Sequence, residues 1–190
     1  LLGTKMTDDE REDALLGINS ECLRIERLSQ KLMQLIVLKQ GGALERREEP
    51  VSALLEDVAS AAGEQLRQRG LTLEITNQMD TLLIERDLII SLLLNLIDNA
   101  GKASRPGDTI ELLASGNVVS VIDHGVGMPQ EELDKITQPF YMIDRSRAKR
   151  AGGIGLGLAL AEEIARLHGA QLVFESKSGV GTTVKVVFAD

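Results

Sequence analysis

Apolar or small residues recur at Ile18, Cys22, Ile25, Ser29, Leu32 and Ile36, in alternating steps of four and three. That is a heptad seam, and Leu28 and Leu35 widen it. Residues 8–40 hold no proline and a single glycine, Gly17, so the pattern predicts one long helix. Asp8 and Asp9 suit its start through side-chain capping and the helix dipole, and Gly41-Gly42 suits its end. One helix cannot bury a two-sided seam alone. It packs either on its own domain or in a dimerisation bundle.

After Gly42 the pattern becomes mixed. Leu44 to Glu48 reads as a short strand stopped by Pro50, and Val51 to Arg69 as an amphipathic helix through Leu54, Leu55, Val58 and Leu66. Leu71, Leu73 and Ile75 alternate with polar residues, as in a half-buried strand. Thr81 to Ile84 predicts another strand, followed by a long apolar helix from about Arg86 to Ser104. Ile110 to Ala114 and Val118 to Asp123 predict a hairpin over Ser115-Gly116-Asn117. Pro129 to Thr137 reads as a short helix with proline in its first turn, and Gly155 to His168 as a helix closed by Gly169. Two final strands, Gln171 to Glu175 and Thr183 to Phe188, flank Gly179-Val-Gly181. The expected fold class is α+β: a mixed sheet with helices on one face, preceded by a long helix.

Composition narrows the picture. The 190 residues suffice for one good core plus a smaller attachment, and 43% are apolar, as in a folded protein. Phe140, Phe174, Phe188 and Tyr141 are the only aromatics, so Leu, Ile, Val and Ala must build the core. A net charge of −8 argues against nucleic acid or an anionic membrane surface as partner. Cys22 stands alone, which rules out an internal disulfide or a cysteine metal site and suits a reducing, cytoplasmic setting. No apolar run approaches the roughly 18 residues of a membrane span. The chain starts at Leu1 with neither Met nor a signal pattern, as expected of a piece of a longer protein.

Three stretches carry chemistry. Asn95, Asn99 and Lys102 share one helix face. Buried amides among leucines need partners; an amide oxygen suits Mg²⁺, and Lys102 can reach phosphate, although helix-capping or core amides fit the same pattern. Asp123 ends an apolar strand before Gly125 and Gly127, where a carboxylate can accept from a base amine; Gly-x-Gly after a strand also occurs in ordinary turns. His124 beside it reads as a bystander. Gly152-Gly153-Ile154-Gly155-Leu156-Gly157 opens into a helix, and bare N–H groups at a helix start bind phosphate. The dinucleotide fingerprint fails at Leu158 and the P-loop fails at Ala103. Upstream, Arg145, Arg147, Lys149 and Arg150 form either a solvated loop or a lid that neutralises phosphate charge.

In order and spacing these stretches resemble the sensor histidine kinases of two-component signalling. Asn95 to Ser104 is similar to the N box and Asp123 to Met128 to the first glycine box. Pro139-Phe140-Tyr141 is similar to the F box, Gly153 to Gly157 to the second glycine box, and Gly179 to Thr182 to the third. The resemblance, over about residues 44–189, implies a Bergerat-type α/β sandwich with ATP between helices and sheet. It implies Mg²⁺ on Asn99, and Asn95 and Lys102 near the phosphates. Asp123, with Gly125, Gly127 and Thr182, would meet adenine. Tyr141 and the amides of Gly153, Gly155, Leu156 and Gly157 would line the nucleotide.

Residues 1–42 are similar to part of the family's dimerisation and phosphotransfer hairpin, and 43–190 to its catalytic domain. The phosphoacceptor histidine is expected upstream of this chain, because His124 and His168 lack its sequence context. His168 is instead expected to place charge at a helix C-terminus. Met142 stands where many members carry a phosphate-reaching arginine, leaving Arg145 or Arg147 as its substitute. Implied partners are a response regulator receiver domain and a second copy of the full-length protein, with membrane attachment only through segments preceding this chain.

The same fold serves ATP-hydrolysing gyrase, mismatch-repair and chaperone proteins, which place a glutamate four residues before the metal-binding asparagine. Here that position is Asn95, a neutral amide that cannot take a proton from water. The reading that follows is phosphoryl transfer to an external histidine, with Asn95, Lys102 and Arg147 as catalytic candidates. The alternatives are hydrolysis, an anti-sigma serine kinase, or a non-catalytic nucleotide-sensing module.

Overall fold

A computed structural model describes residues 7–41, 44–143 and 154–189. The first helix, α1 (Asp8–Gln40), is capped by Thr7, whose side chain accepts from the Glu10 N–H while the Glu10 carboxylate accepts from the Thr7 N–H. The helix starts at Asp8 as expected, but the cap is Thr7: a hydroxyl in extended backbone, three residues before a glutamate, satisfies two free donors at once. Gly41, at φ 72°, ends the helix.

The seam of α1 faces solvent, with Ile18, Ile25, Leu32 and Ile36 all exposed. The side that packs inward is the widening edge, where Leu35 is buried and Leu28 and Leu38 are half-buried against the core.

Strand β1 (Arg47–Pro50) pairs antiparallel with β3 (Thr81–Ile84) as a separate two-stranded sheet, correcting the expectation of a single sheet. The first strand also lies later than Leu44 to Glu48. Pro50 ends it and serves as N-cap of α2 (Val51–Gln68), an edge position where the missing N–H costs no ladder bond. Arg86 binds this corner together, donating to Asp57 at 2.8 Å, the Ala53 carbonyl at 3.0 Å and Glu49 at 3.3 Å.

The main sheet has the order β2 (Thr72–Asn77), β4 (Thr109–Ser115), β5 (Val118–Asp123), β7 (Gly181–Val187), β6 (Gln171–Lys177). Only β2 and β4 run parallel, so the sheet is mixed as expected. Registers align Leu112, Val121, Val184 and Phe174 in one row, and Ala114, Val119, Val186 and Leu172 in the next. These rows lie under α2, α3 (Arg86–Ala103) and α4 (Gly157–Leu167). Leu92, Leu93, Leu96 and Ile97 of α3 are buried, as are Leu160 and Ile164 of α4. Burying a leucine or isoleucine side chain contributes roughly 1.5–3 kcal/mol, so a mainly aliphatic core, with Phe188 buried in it and Phe174 at its edge, suffices.

Two helix expectations change. Residues 130–132 form a single 3₁₀ turn after Pro129, not a helix through Thr137. The helix expected from Gly155 begins at Gly157, because Gly155 sits at φ 75°.

The expected charge on His168 is also corrected. His168 is buried at the end of α4, where Nδ1 donates to the Ile164 carbonyl at 2.8 Å and Nε2 accepts the Glu85 N–H at 3.1 Å. Burial pushes its pKa down, so it is a neutral connector and not a cationic cap.

Candidate functional site

The registers that align the core also place a polar row at one end of the sheet. Asp123 pairs with Thr182 across β5 and β7, and Thr182 pairs with Ser176 across β6. All three thus stand on the helix-facing side, beyond the last apolar row. Asp123 and Thr182 are buried, and Ser176 Oγ lies 2.9 Å from Thr182 Oγ1. The Asp123 carboxylate accepts the Gly125 N–H at 2.9 Å. Burial raises its pKa, opposed by backbone hydrogen bonds from Gly125 and Thr182. A carboxylate so placed still has lone pairs for an incoming donor.

Glycine is required around it. A Cβ on Gly125 would overlap the Ala103 carbonyl, and one on Gly127, at φ 59°, would overlap the Lys177 carbonyl. The loop therefore lies flat against the end of α3, fixed by the Val126 N–H on the Ala103 carbonyl at 3.2 Å.

Above this row opens a cavity of about 320 Å³, floored by Asp123 and Thr182 and walled by Val121, Met128, Phe174 and Val184. Beside it lies a second, of about 470 Å³, containing Arg27, Lys31, Arg69 and Lys102. Asn99, Lys102, Ile136, Tyr141, Met142 and Leu158 belong to both, so the two spaces form one continuous groove. One end is apolar with a single carboxylate, and the other is cationic.

Asn95, Asn99 and Lys102 face this groove from α3, as their spacing predicts, but each has its own setting. Asn95 donates to the Ser91 carbonyl at 2.8 Å and accepts from Lys31 Nζ at 2.7 Å. Lys102 pairs with Asp98 at 2.6 Å, and Arg69 takes the other oxygen of Asp98 at 3.1 Å. Burial opposes ionisation of Asp98, but Lys102 and Arg69 prevail and hold its pKa low. Asn99 differs: its Nδ2 is a buried side-chain atom with no hydrogen-bond partner. A buried donor without an acceptor costs about 1–3 kcal/mol, and such an atom in a cavity wall is suited to a ligand.

The groove's far wall is the start of α4. Gly155, Leu156 and Gly157 line the cationic cavity, and Leu156 itself is buried. A Cβ on Gly157 would stand 3.2 Å from Asn95 Oδ1, so its bareness keeps the wall close to α3. Gly155 accepts the Phe140 N–H at 2.7 Å, and Phe140 itself takes the left-handed conformation at φ 66°. Tyr141, next to it, donates to the Glu132 carboxylate. Met142 is an apolar wall of both cavities. Gly153, Arg145, Arg147, Lys149 and Arg150 lie outside the described residues. His124 pairs with Glu111 at 3.0 Å on the exposed surface and lines neither cavity.

Sequence reasoning missed Arg27, Lys31, Arg69 and Asp98. For Lys31 a signal existed: it stands three residues after Leu28 and four before Leu35, a cation on the inward face of α1.

Mg²⁺ fits in its usual form, one protein oxygen with the rest from phosphate and water: that oxygen is Asn99 Oδ1, on an amide that lines the groove, whereas the unpartnered Nδ2 is a donor and suits a ligand acceptor instead. Among the described residues no cluster of three or more His, Cys, Asp or Glu could hold a metal.

Comparison with known proteins agrees with this architecture. The chain is 31% identical over 187 residues to the sensor histidine kinase YkoH of Bacillus subtilis, covering 94% of this chain and 40% of that protein. It is 28% identical over 181 residues to the sensor protein SrrB of Staphylococcus aureus, covering 92% and 31%. The chain thus spans two-fifths or less of the length of these relatives. Among solved structures, the Acinetobacter baumannii histidine kinase AdeS superposes with a TM-score of 0.70 at 21% identity, covering 98% of this chain and 88% of that one. Full-length ShkA in complex with AMPPNP gives 0.76 at 22% identity, covering 98% and 41%. These last two likenesses concern the fold. Residues 84–190, which supply α3, the glycine-bearing loops, the start of α4 and most of the main sheet, match the histidine kinase-, DNA gyrase B- and HSP90-like ATPases. That match spans more than half of the chain and contains both the carboxylate floor and the glycine wall of the groove: the chain belongs to this ATPase family.

Proposed function

We propose that the chain is the ATP-binding catalytic part of a sensor histidine kinase, and that it transfers the γ-phosphate of ATP to a histidine on a helix outside this chain, for relay to a response regulator receiver domain. The observation that carries this reading is the polarity of the groove. Its apolar end has one buried carboxylate, Asp123, and its other end gathers four cations against the single carboxylate of Asp98. Adenine fits the first end, with its exocyclic amine on Asp123 and Thr182 nearby, and the loop at Gly125 and Gly127 closing on the ring. A triphosphate fits the second, held by Lys102 and the start of α4 at Gly155, Leu156 and Gly157. Tyr141 lies between the two ends.

Mg²⁺ on Asn99 would supply charge neutralisation between the phosphates. Arg145 and Arg147 are proposed to add charge there, with Arg147, Asn95 and Lys102 as the catalytic set. Asn95 favours transfer over hydrolysis, because its neutral amide cannot take a proton from water. In this reading residues 1–42 belong to the dimerisation and phosphotransfer hairpin and 43–190 to the catalytic domain. The full-length protein acts as a homodimer, anchored in the membrane by other segments with this part facing the cytoplasm. No helix among the described residues is long and apolar enough to cross a membrane.

The test is transfer from γ-labelled ATP, with the chain alone and then mixed with a helical hairpin that supplies the acceptor histidine. The expected result is acid-labile, base-stable label on the added hairpin and none on the chain. Steady phosphate release with no labelled protein would overturn the transfer reading in favour of hydrolysis.

A further inference from the structure

Lys31 projects from α1 into the cationic cavity, where its ammonium donates to Asn95 Oδ1 at 2.7 Å. Among the described residues it makes no ion pair. Asp98, the one carboxylate in that wall, is engaged by Arg69 and Lys102. Asp98 attracts Lys31 at longer range, but a cation drawn partly out of water whose hydrogen-bond acceptor is a neutral amide has no counter-charge in direct contact. Burial accordingly pushes the Lys31 pKa down.

Its neighbours strengthen the imbalance. Arg27, one turn earlier on the same helix, lines the same space. Opposite stands the first turn of α4, whose leading N–H groups have no acceptor within the helix. Asn99, with its unpartnered buried Nδ2, lies in the same wall. Every one of these features favours a polyanion.

Lys31 also lies outside residues 84–190, so the family match does not account for it. We propose that Lys31 is a phosphate ligand supplied by α1, which exchanges the Asn95 amide oxygen for an oxygen of the nucleotide's terminal phosphates. The nucleotide site then extends beyond the ATPase domain onto the long helix, and Lys31 sets preference by phosphate number. This rests on the ATP reading of the groove.

Calorimetric titration of the whole chain with ATP, ADP and AMP, each with Mg²⁺, tests it on three proteins: the native chain, Lys31→Met and Lys31→Arg. Loss of one charge-assisted hydrogen bond corresponds to about a tenfold weaker dissociation constant. Lys31→Met is expected to lose about that factor for ATP and to keep its affinity for AMP, which also shows that the base end is folded. Lys31→Arg is expected to recover most of the loss. An equal loss for ATP and AMP would make Lys31 a structural tether, and tighter ATP binding would make it a plug; either overturns the proposal. If the native chain binds none of the three nucleotides, the ATP reading falls and takes this proposal with it. Normal native binding with an indifferent Lys31→Met removes Lys31 alone.

Discussion

His168 Nε2 accepts the backbone N–H of Glu85 at 3.1 Å, joining the end of α4 to the residue that caps α3. Its other nitrogen donates to the Ile164 carbonyl, so the ring must be neutral to keep both bonds. Burial lowers its folded pKa beneath the ordinary 6.5. Between the folded and unfolded values the unfolded chain binds more protons, so stability rises with pH there. The contribution is full above about 6.5 and declines as pH falls from that value toward the folded pKa. Urea melts across this range should show acid destabilisation in the native protein and a flatter profile in His168→Gln. Parallel profiles would contradict the assignment.

Asp123→Asn replaces an acceptor-only group with one that also presents donors to the base. ATP and ADP affinity should fall about tenfold or more, whereas weak binding of a GTP analogue should change little. Titration with both nucleotides checks this; equal losses would remove Asp123 from base recognition.

Gly127→Ala places a Cβ inside the Lys177 carbonyl at a φ of 59°. Gly179→Ala meets nothing within 4 Å, although its φ of 78° is also left-handed. Gly179→Ala should therefore cost only the conformational strain, about 1 kcal/mol, and Gly127→Ala several times that together with nucleotide binding. Thermal melts of the pair separate steric from conformational cost.

Asn99→Ala removes the groove amide whose nitrogen lacks a partner. The apo protein should lose little stability, because no internal hydrogen bond to that nitrogen disappears. Mg²⁺-dependent ATP affinity should collapse toward the Mg²⁺-free value. A Mg²⁺ titration at fixed ATP that matches the native curve would eliminate the metal role.

Much of this was legible in the chain because it depends on local period. The long helix of α1, the apolar helix carrying Asn95 and Asn99, and the β4–β5 hairpin all follow from spacing, as does Asp123 at a strand end. What was hidden depends on partners distant in sequence. Neutral His168 needs Glu85, 83 positions away, and Lys31 reaches Asn95 across 64. Local competition hid the rest: Thr7 outdoes two aspartates as a cap through its reciprocal bond with Glu10, and Pro50 serves at once as strand end and helix cap. After Pro129 the run to Thr137 has too few apolar positions at helical spacing to hold more than a turn.

The uneven docking of α1 has a consequence for local stability. Thirty-three residues make a rod about 50 Å long, yet from Glu10 to Arg27 no side chain is buried. The amides of that span are held by helix propensity, the Thr7 box and exposed local contacts such as the Arg24–Glu21 pair, whereas those near Leu35 share the protection of the core. Hydrogen–deuterium exchange should therefore run in a gradient along one continuous helix, fast before Leu28 and slow beyond it. If a second copy covers the exposed seam, the fast half alone slows as protein concentration rises, so the helix is its own gauge of assembly.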